Sequence, residues 1–166
     1  MKKICILLVA IALTSVGCDS RKTDLTAQFD KLSRENDSIE AAHERFKEAH
    51  QDMRTKHQIF TEKLAGVEVQ DSTLVEDVAK HEAILEEHDV IIESHDELME
   101  AHEDLKANFN ELSETEMETQ IEQMKEQHDK IMKEHAQMEE EHDMMMAEHQ
   151  ILEERLNREI EGVDQM

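Results

Sequence analysis

Residues 81–112 read HEAILEEHDVIIESHDELMEAHEDLKANFNEL, and a histidine stands at every seventh position from His81 to His102. Because seven residues make two helical turns, these histidines lie along one side of a helix. The other histidines of the chain keep the same spacing in two further series. The full set comprises His43, His50 and His57, then His81, His88, His95 and His102, and finally His128, His135, His142 and His149. This strict register predicts long amphipathic helices.

The composition favours a single all-α domain. Only 2% of the 166 residues are aromatic, Trp, Tyr and Pro are absent, and 36% of the residues are charged. A chain of this kind lacks the large side chains of an ordinary globular core and suits long helices. Its net charge of -24 argues against a nucleic-acid partner, because phosphate binding needs a basic surface.

Apolar side chains recur three residues after the histidine positions and mark three amphipathic helices. We expect the helices at about residues 24–65, 73–107 and 114–161. The first break, 66–72, ends in the capping sequence of residues 71–73. The second break, 108–116, contains Ser113 and Glu116 at the spacing of a capping box.

The two breaks can be turns or phase slips in a continuous helix. Turns give an antiparallel three-helix bundle, whereas phase slips leave an extended coiled coil that must oligomerise. The gaps in the histidine series are centred on residues 69 and 115, inside the two breaks, so folding there aligns the series. We therefore favour the bundle. It groups the side chains in four levels: His57 with His81 and His149, His50 with His88 and His142, His43 with His95 and His135, and Asn36 with His102 and His128.

The histidine spacing restricts what these side chains can do together. Residues seven apart on one helix are separated by ~10 Å along its axis, whereas a Zn–N bond is ~2 Å long. A metal site must therefore be assembled between helices, and three histidines at one level would suit Zn, Cu, Ni or Co. Two other interpretations stay open: a buried polar column that fixes the helix register, and a pH switch.

Methionines add candidate ligands for soft ions. Met132, Met138, Met145 and Met146 each lie three residues from a histidine of the third helix. These His-x-x-Met and Met-x-x-His pairs resemble repeats in periplasmic silver- and copper-binding proteins. The resemblance implies handling of Cu(I) or Ag(I). Ordinary core packing is the alternative for methionines at apolar positions.

Residues 1–17 have the three parts of a secretory signal: a basic start, an apolar run and small residues before Cys18. The apolar run is too short for a permanent transmembrane helix. The segment 15–18, Ser-Val-Gly-Cys, resembles the lipobox of bacterial lipoproteins. The resemblance implies cleavage before Cys18 and lipid attachment to it, with residues 18–23 as a tether and residues 24–166 as the helical body.

These features predict a membrane-anchored lipoprotein of the bacterial cell envelope, facing the periplasm or the cell exterior. Its helical body would be a spacer, or a docking surface for a helical protein or a second copy of the chain. The alternative is an envelope protein that sequesters metal ions such as Zn, Cu or Ag through its histidines. We expect no enzymatic activity, because the chain has neither a glycine-framed serine nor a phosphate-binding loop.

Overall fold

The computed structural model describes residues 15–67 and 71–163, with side chains for residues 20–67 and 71–161. Within these ranges the chain forms three α-helices, and a 3-10 turn, Phe109–Glu111, lies between the second and the third. The helices are α1 (Ser15–Ala65), α2 (Ser72–Asn108) and α3 (Glu114–Val163). No strand occurs in these ranges, and none of the three helices has a stretch long and apolar enough to cross a bilayer.

The three helices pack side by side, so the predicted all-α three-helix bundle is confirmed and the extended rod is excluded. Both breaks are turns. The rings of His57 and His81, next to the first turn, are 6.0 Å apart, and those of His43 and His95, further from it, are 5.5 Å apart. α1 and α2 are therefore antiparallel. The 51 residues of α1 and the 50 residues of α3 extend about 75 Å, and the 37 residues of α2 extend about 55 Å.

Local capping chemistry explains where α2 and α3 begin. The Asp71 carboxylate accepts a hydrogen bond from Thr73 N at 3.1 Å, which satisfies one of the unpaired amides of the first turn of α2. At α3, Ser113 N donates to Glu116 Oε2 at 2.8 Å and Glu116 N donates back to Ser113 Oγ at 3.4 Å. This reciprocal pair is the predicted capping box.

The first helix begins earlier than the expected residue 24. Residues 18–23 are part of α1 and do not form a separate tether. The physical reason lies at the turn between α2 and α3, where Lys22 Nζ donates to Asn110 O at 2.8 Å and to Leu112 O at 3.2 Å. Carbonyl groups at the end of a helix lack partners and attract cations. The predicted signal segment up to residue 14 and the Cys18 side chain lie outside the described parts.

Apolar clusters close both ends of the bundle. One cluster lies under the turn between α2 and α3, where Phe29 and Phe109 stack with ring centroids 3.8 Å apart. It consists of Leu25, Phe29, Leu32, Phe109, Met117, Ile121 and Met124. The cluster at the opposite end consists of Phe60, Leu64, Leu74, Val78, Leu152 and Leu156. The histidines occupy the length between these two apolar ends.

The capping box gives a test of how α3 is delimited. Replacing Ser113 with Ala removes the hydroxyl that accepts from Glu116 N, and we expect the free energy of unfolding to fall by about 1 kcal/mol. Urea unfolding followed by circular dichroism measures this change. Ser38→Ala is the matched control, since Ser38 is exposed within α1 and Ala is the better helix former. Equal stability of the two variants would contradict the assignment.

Candidate metal centre

Histidines from all three helices meet at three successive levels of the bundle. At each level one ring comes from α1, one from α2 and one from α3, and their nearest ring nitrogens all lie within 4.8 Å of one another. The trios are the ones that the sequence predicted. From the middle of the bundle towards the first turn they are His43, His95 and His135, then His50, His88 and His142, then His57, His81 and His149.

The converging nitrogens have the spacing of metal ligands. In the middle level, His50 Nδ1 is 3.0 Å and His88 Nδ1 is 3.2 Å from His142 Nε2. A tetrahedral zinc ion with bonds of 2.0–2.1 Å separates its ligand atoms by about 3.3 Å. The level of His43 repeats the arrangement with distances of 2.9 and 3.3 Å. In these two levels the distances from the α1 and α2 nitrogens to the α3 nitrogen are therefore close to those between the ligands of a tetrahedral ion.

Carboxylates hold the outward nitrogens of the α1 and α2 histidines. Each α1 ring directs Nε2 at an acid of α2, and each α2 ring directs Nε2 at a glutamate of α3. The α1 pairs are His43 with Asp96 at 3.2 Å, His50 with Asp89 at 2.9 Å and His57 with Glu82 at 3.2 Å. The α2 pairs are His95 with Glu134 at 2.8 Å, and His88 with Glu141 and His81 with Glu148, both at 2.6 Å.

These contacts with carboxylates determine which ring nitrogen donates a hydrogen bond and which one faces the inside of the bundle. A carboxylate accepts hydrogen bonds, so each Nε2 carries a proton, and whenever such a ring is neutral its Nδ1 lone pair points into the bundle. At each level the Nδ1 lone pairs of the α1 and α2 rings then face one nitrogen of the α3 ring. That nitrogen has a single N–H group, so it can form a well-aligned hydrogen bond with only one of the two. At the third level His81 Nδ1 is buried with no hydrogen-bond partner among the described residues. A bound cation would satisfy all three nitrogens at once.

The lowered pKa values of the α3 histidines also favour the binding of a cation. Burial is the main cause that lowers the pKa of His135, His142 and His149 from 6.5 to about 4, and the two other rings of each level lower it further. Burial also lowers the pKa of the three α1 histidines, although their partner carboxylates Asp96, Asp89 and Glu82 act in the opposite direction. Neutral imidazole is the form that binds metals, so protons do not compete for these rings at neutral pH.

The fourth level differs from the other three. Asn36 of α1 takes the place of a histidine and lies 2.8 Å from His102 Nδ1, while Gln127 takes the place of a glutamate and lies 2.8 Å from His102 Nε2. Amides offer both an oxygen and an NH2 group, so they satisfy either tautomer of His102. His128 packs edge-on against His102 with centroids 5.2 Å apart, and both of its ring nitrogens are buried without a hydrogen bond to the described part of the chain.

The four methionines proposed for soft ions divide into two groups. Met138 and Met145 are buried, and Met145 packs with Met53 and Leu85 in an apolar cluster between two histidine levels. Core packing therefore accounts for Met145. Met132 and Met146 are exposed to 61% and 46% and lie on the surface of α3.

The glutamates that support the α2 histidines were not singled out from the sequence. Glu134, Glu141 and Glu148 each precede an α3 histidine by one residue and serve a ring on a different helix. The seven-residue repeat of these glutamates, which ends at Gln127, was the available signal. The acids that directly follow His81, His88 and His95 of α2 bond to the rings of α1.

Comparisons with known proteins add no family to this description. No protein-family model, curated protein or solved structure matches the chain.

The lowered pKa values predict how the metal-free protein responds to acid. The folded chain keeps the α3 histidines neutral down to about pH 4, whereas in the unfolded chain they protonate near 6.5. The unfolded state therefore binds more protons in this window, and the free energy of unfolding falls as the pH is lowered through it. Urea midpoints measured with a chelator between about pH 7 and about pH 4 should decrease steadily.

The control for this pH dependence is a chain with His135, His142 and His149 all replaced by Leu. It keeps the surrounding carboxylates and loses the three rings with the largest stated shift. Its urea midpoint should depend less steeply on pH than that of the unchanged chain. Identical slopes would mean that the α3 histidines titrate normally in the folded protein.

Proposed function

We propose that this protein binds transition-metal ions at three stacked tris-histidine sites in the core of its helical bundle. The observation that carries the proposal is the convergence of three ring nitrogens at each of three levels, with the outer nitrogens of two rings held by carboxylates. Carboxylate–histidine pairs of this kind orient imidazole ligands and raise their basicity in metal sites. Three imidazoles leave an open coordination position and suit Zn, Cu, Ni or Co.

The levels are spaced as separate sites. Successive levels are seven residues apart on every helix, which corresponds to ~10 Å along the bundle, so no ion shares a ligand with its neighbour. Apolar side chains separate the levels: Phe46 lies between the first and second, with its ring 5.1 Å from that of His142, and Met53 clusters with Leu85 and Met145 between the second and third. Each chain would therefore hold three ions.

The proposed role belongs to the cell envelope. Lipidation at Cys18 would tether the bundle to a membrane, and the acidic chain, whose net charge is -24 before cleavage, would attract cations. A chain that stores several ions without a catalytic group fits a sequestering protein. The spacer or docking role predicted from the sequence is compatible with this proposal, since a bundle about 75 Å long could serve both purposes.

Titration of the purified full-length protein with Zn(II), Cu(II) and Cu(I) tests the proposal. Isothermal calorimetry should give three ions per chain, and each ion should raise the thermal midpoint, because a ligand at about 100 times its Kd stabilises the folded state by about 2.7 kcal/mol. His142→Leu should remove one ion, and the triple Leu variant of His135, His142 and His149 should remove all three. Absence of tight binding by the unchanged chain would refute the proposal.

The fourth level supplies a gain-of-function test. Asn36→His together with Gln127→Glu gives this level the third imidazole and the supporting carboxylate of the other three. We expect the number of bound ions to rise from three to four. Gln127→Glu alone is the control, and it should leave the number unchanged because the third ring is still missing. Failure of the double variant to gain an ion would show that the levels are not equivalent scaffolds.

A further inference from the structure

The three long faces of the bundle differ in how well they cover the histidine levels. On the α1–α2 face, ion pairs lie across the outer edges of the rings. Lys47 Nζ is 3.1 Å from Asp96, and Arg54 pairs with Asp89 at 2.7 Å and with Glu82 at 3.3 Å. The carboxylates that hold the α1 histidines are thus tied down by cations on this face.

On the α2–α3 face the covering groups are glutamates of α3 that bond directly to the α2 rings. A groove of about 260 Å³ lies on this face, between Asp77, Lys80 and Arg155, and its lining includes Glu148 but no histidine. Glu148 itself bonds to His81 Nε2 at 2.6 Å. An ion that approaches this face therefore meets a carboxylate that is already hydrogen-bonded to a histidine, and it does not meet a histidine ring.

The α1–α3 face is open to the rings. A groove of about 380 Å³ runs along it, and its lining contains both His135 and His142. It exists because α1 presents the small side chains of Ala42 and Ala49 there. A second groove of about 190 Å³ continues towards the first turn and reaches His149.

The size and charge of the larger groove suit a hydrated metal ion. An ion with six waters occupies roughly 180 Å³ at about 30 Å³ per water, which the 380 Å³ groove accommodates. Asp52, Glu139 and Asp143 line it, against the single cation Arg45. The surplus of acids attracts cations, and each of the two rings at its floor belongs to a different histidine level.

Met146 joins the two grooves. Its side chain lines both of them, beside His142 in the first and His149 in the second, and it is 46% exposed. A thioether is a good ligand for soft ions such as Cu(I) and Ag(I) and a poor one for harder ions. The position of Met146 therefore puts a soft ligand between two histidine levels on the open face.

We propose that metal ions enter the histidine core through the α1–α3 groove, and that Met146 binds soft ions transiently as they pass to the histidines. This inference rests on the proposed function, since it assigns a route to the ions that the three levels hold. The groove would govern the rate at which ions enter, whereas the histidine levels would govern the equilibrium affinity for them. The two can therefore be tested independently.

Filling the groove tests the route. Ala42→Leu combined with Ala49→Leu places two larger side chains over His135 and His142, and we expect the rate of Co(II) uptake, followed by stopped-flow absorbance, to fall about tenfold. The number of ions bound at equilibrium should stay the same. Ala83→Leu is the matched control, because Ala83 is exposed on α2 away from the groove, and its uptake rate should equal that of the unchanged chain.

A pair of methionines tests the soft-ion step. Met146→Leu keeps the size of the side chain and removes the sulfur, so it should slow Cu(I) uptake and leave Co(II) uptake unchanged. Met144→Leu is the control, since Met144 is exposed to 45% on the same helix but does not line either groove. Equal Cu(I) rates in the two variants would overturn the role of Met146.

The outcomes distinguish this inference from the proposed function. If ions bind to the unchanged chain and the groove-filled variant takes them up at the same rate, the route is wrong while the sites remain. Entry from the ends of the bundle would give that result. If the unchanged chain binds no ions at all in calorimetry, the proposed function fails first. A slowed rate with unchanged stoichiometry in the groove-filled variant supports the route.

Discussion

The central constraint on this molecule is that a buried imidazole must satisfy two ring nitrogens without water. An unpaired buried polar group costs about 1–3 kcal/mol, so a column of such rings is expensive unless each has partners. Here the outer nitrogens of α1 and α2 histidines are satisfied by carboxylates of the next helix. Among the described residues the inner nitrogens have at most one another, and His81 Nδ1 has no partner. The outer nitrogens of the α1 and α2 rings are thus satisfied, whereas the inner nitrogens are short of donors.

The apolar clusters at the two ends of the bundle allow its middle part to contain buried histidines. Stacked Phe29 and Phe109 close one end, and Leu74 and Leu156, both fully buried, close the other. Burying one such side chain contributes about 1.5–3 kcal/mol, and these clusters also pin the register of all three helices. With the helices held at both ends, the histidine levels do not have to stabilise the fold. The residues at these levels can then be ones that suit the proposed metal binding, because the stability of the fold does not depend on them.

The sequence predicted the fold and the grouping of the rings because both follow from spacing. The seven-residue repeat, together with Ser113 and its capping box at one break, determined which histidines meet. It could not predict which acid holds which ring, because the contact from Glu141 to His88 depends on the rotation of α3 against α2. The open α1–α3 groove was equally hidden, since it arises from the sizes of facing side chains such as Ala49 and not from their period.

The fourth level helps to decide between register and chemistry as the reason for the histidine column. A single polar side chain at one core position suffices to fix the register of packed helices. Asn36, bonded to His102 Nδ1 at 2.8 Å, is such a side chain, and Gln127 bonds to the other ring nitrogen of His102. With that level present, register gives no reason for three further polar levels. The three histidine levels also differ from this fourth level, because they have a third imidazole in place of the Asn36 amide and a glutamate in place of the Gln127 amide. These are the changes that a cation site requires. The repetition of the trios therefore supports the proposed metal binding over a column that serves only to specify the fold.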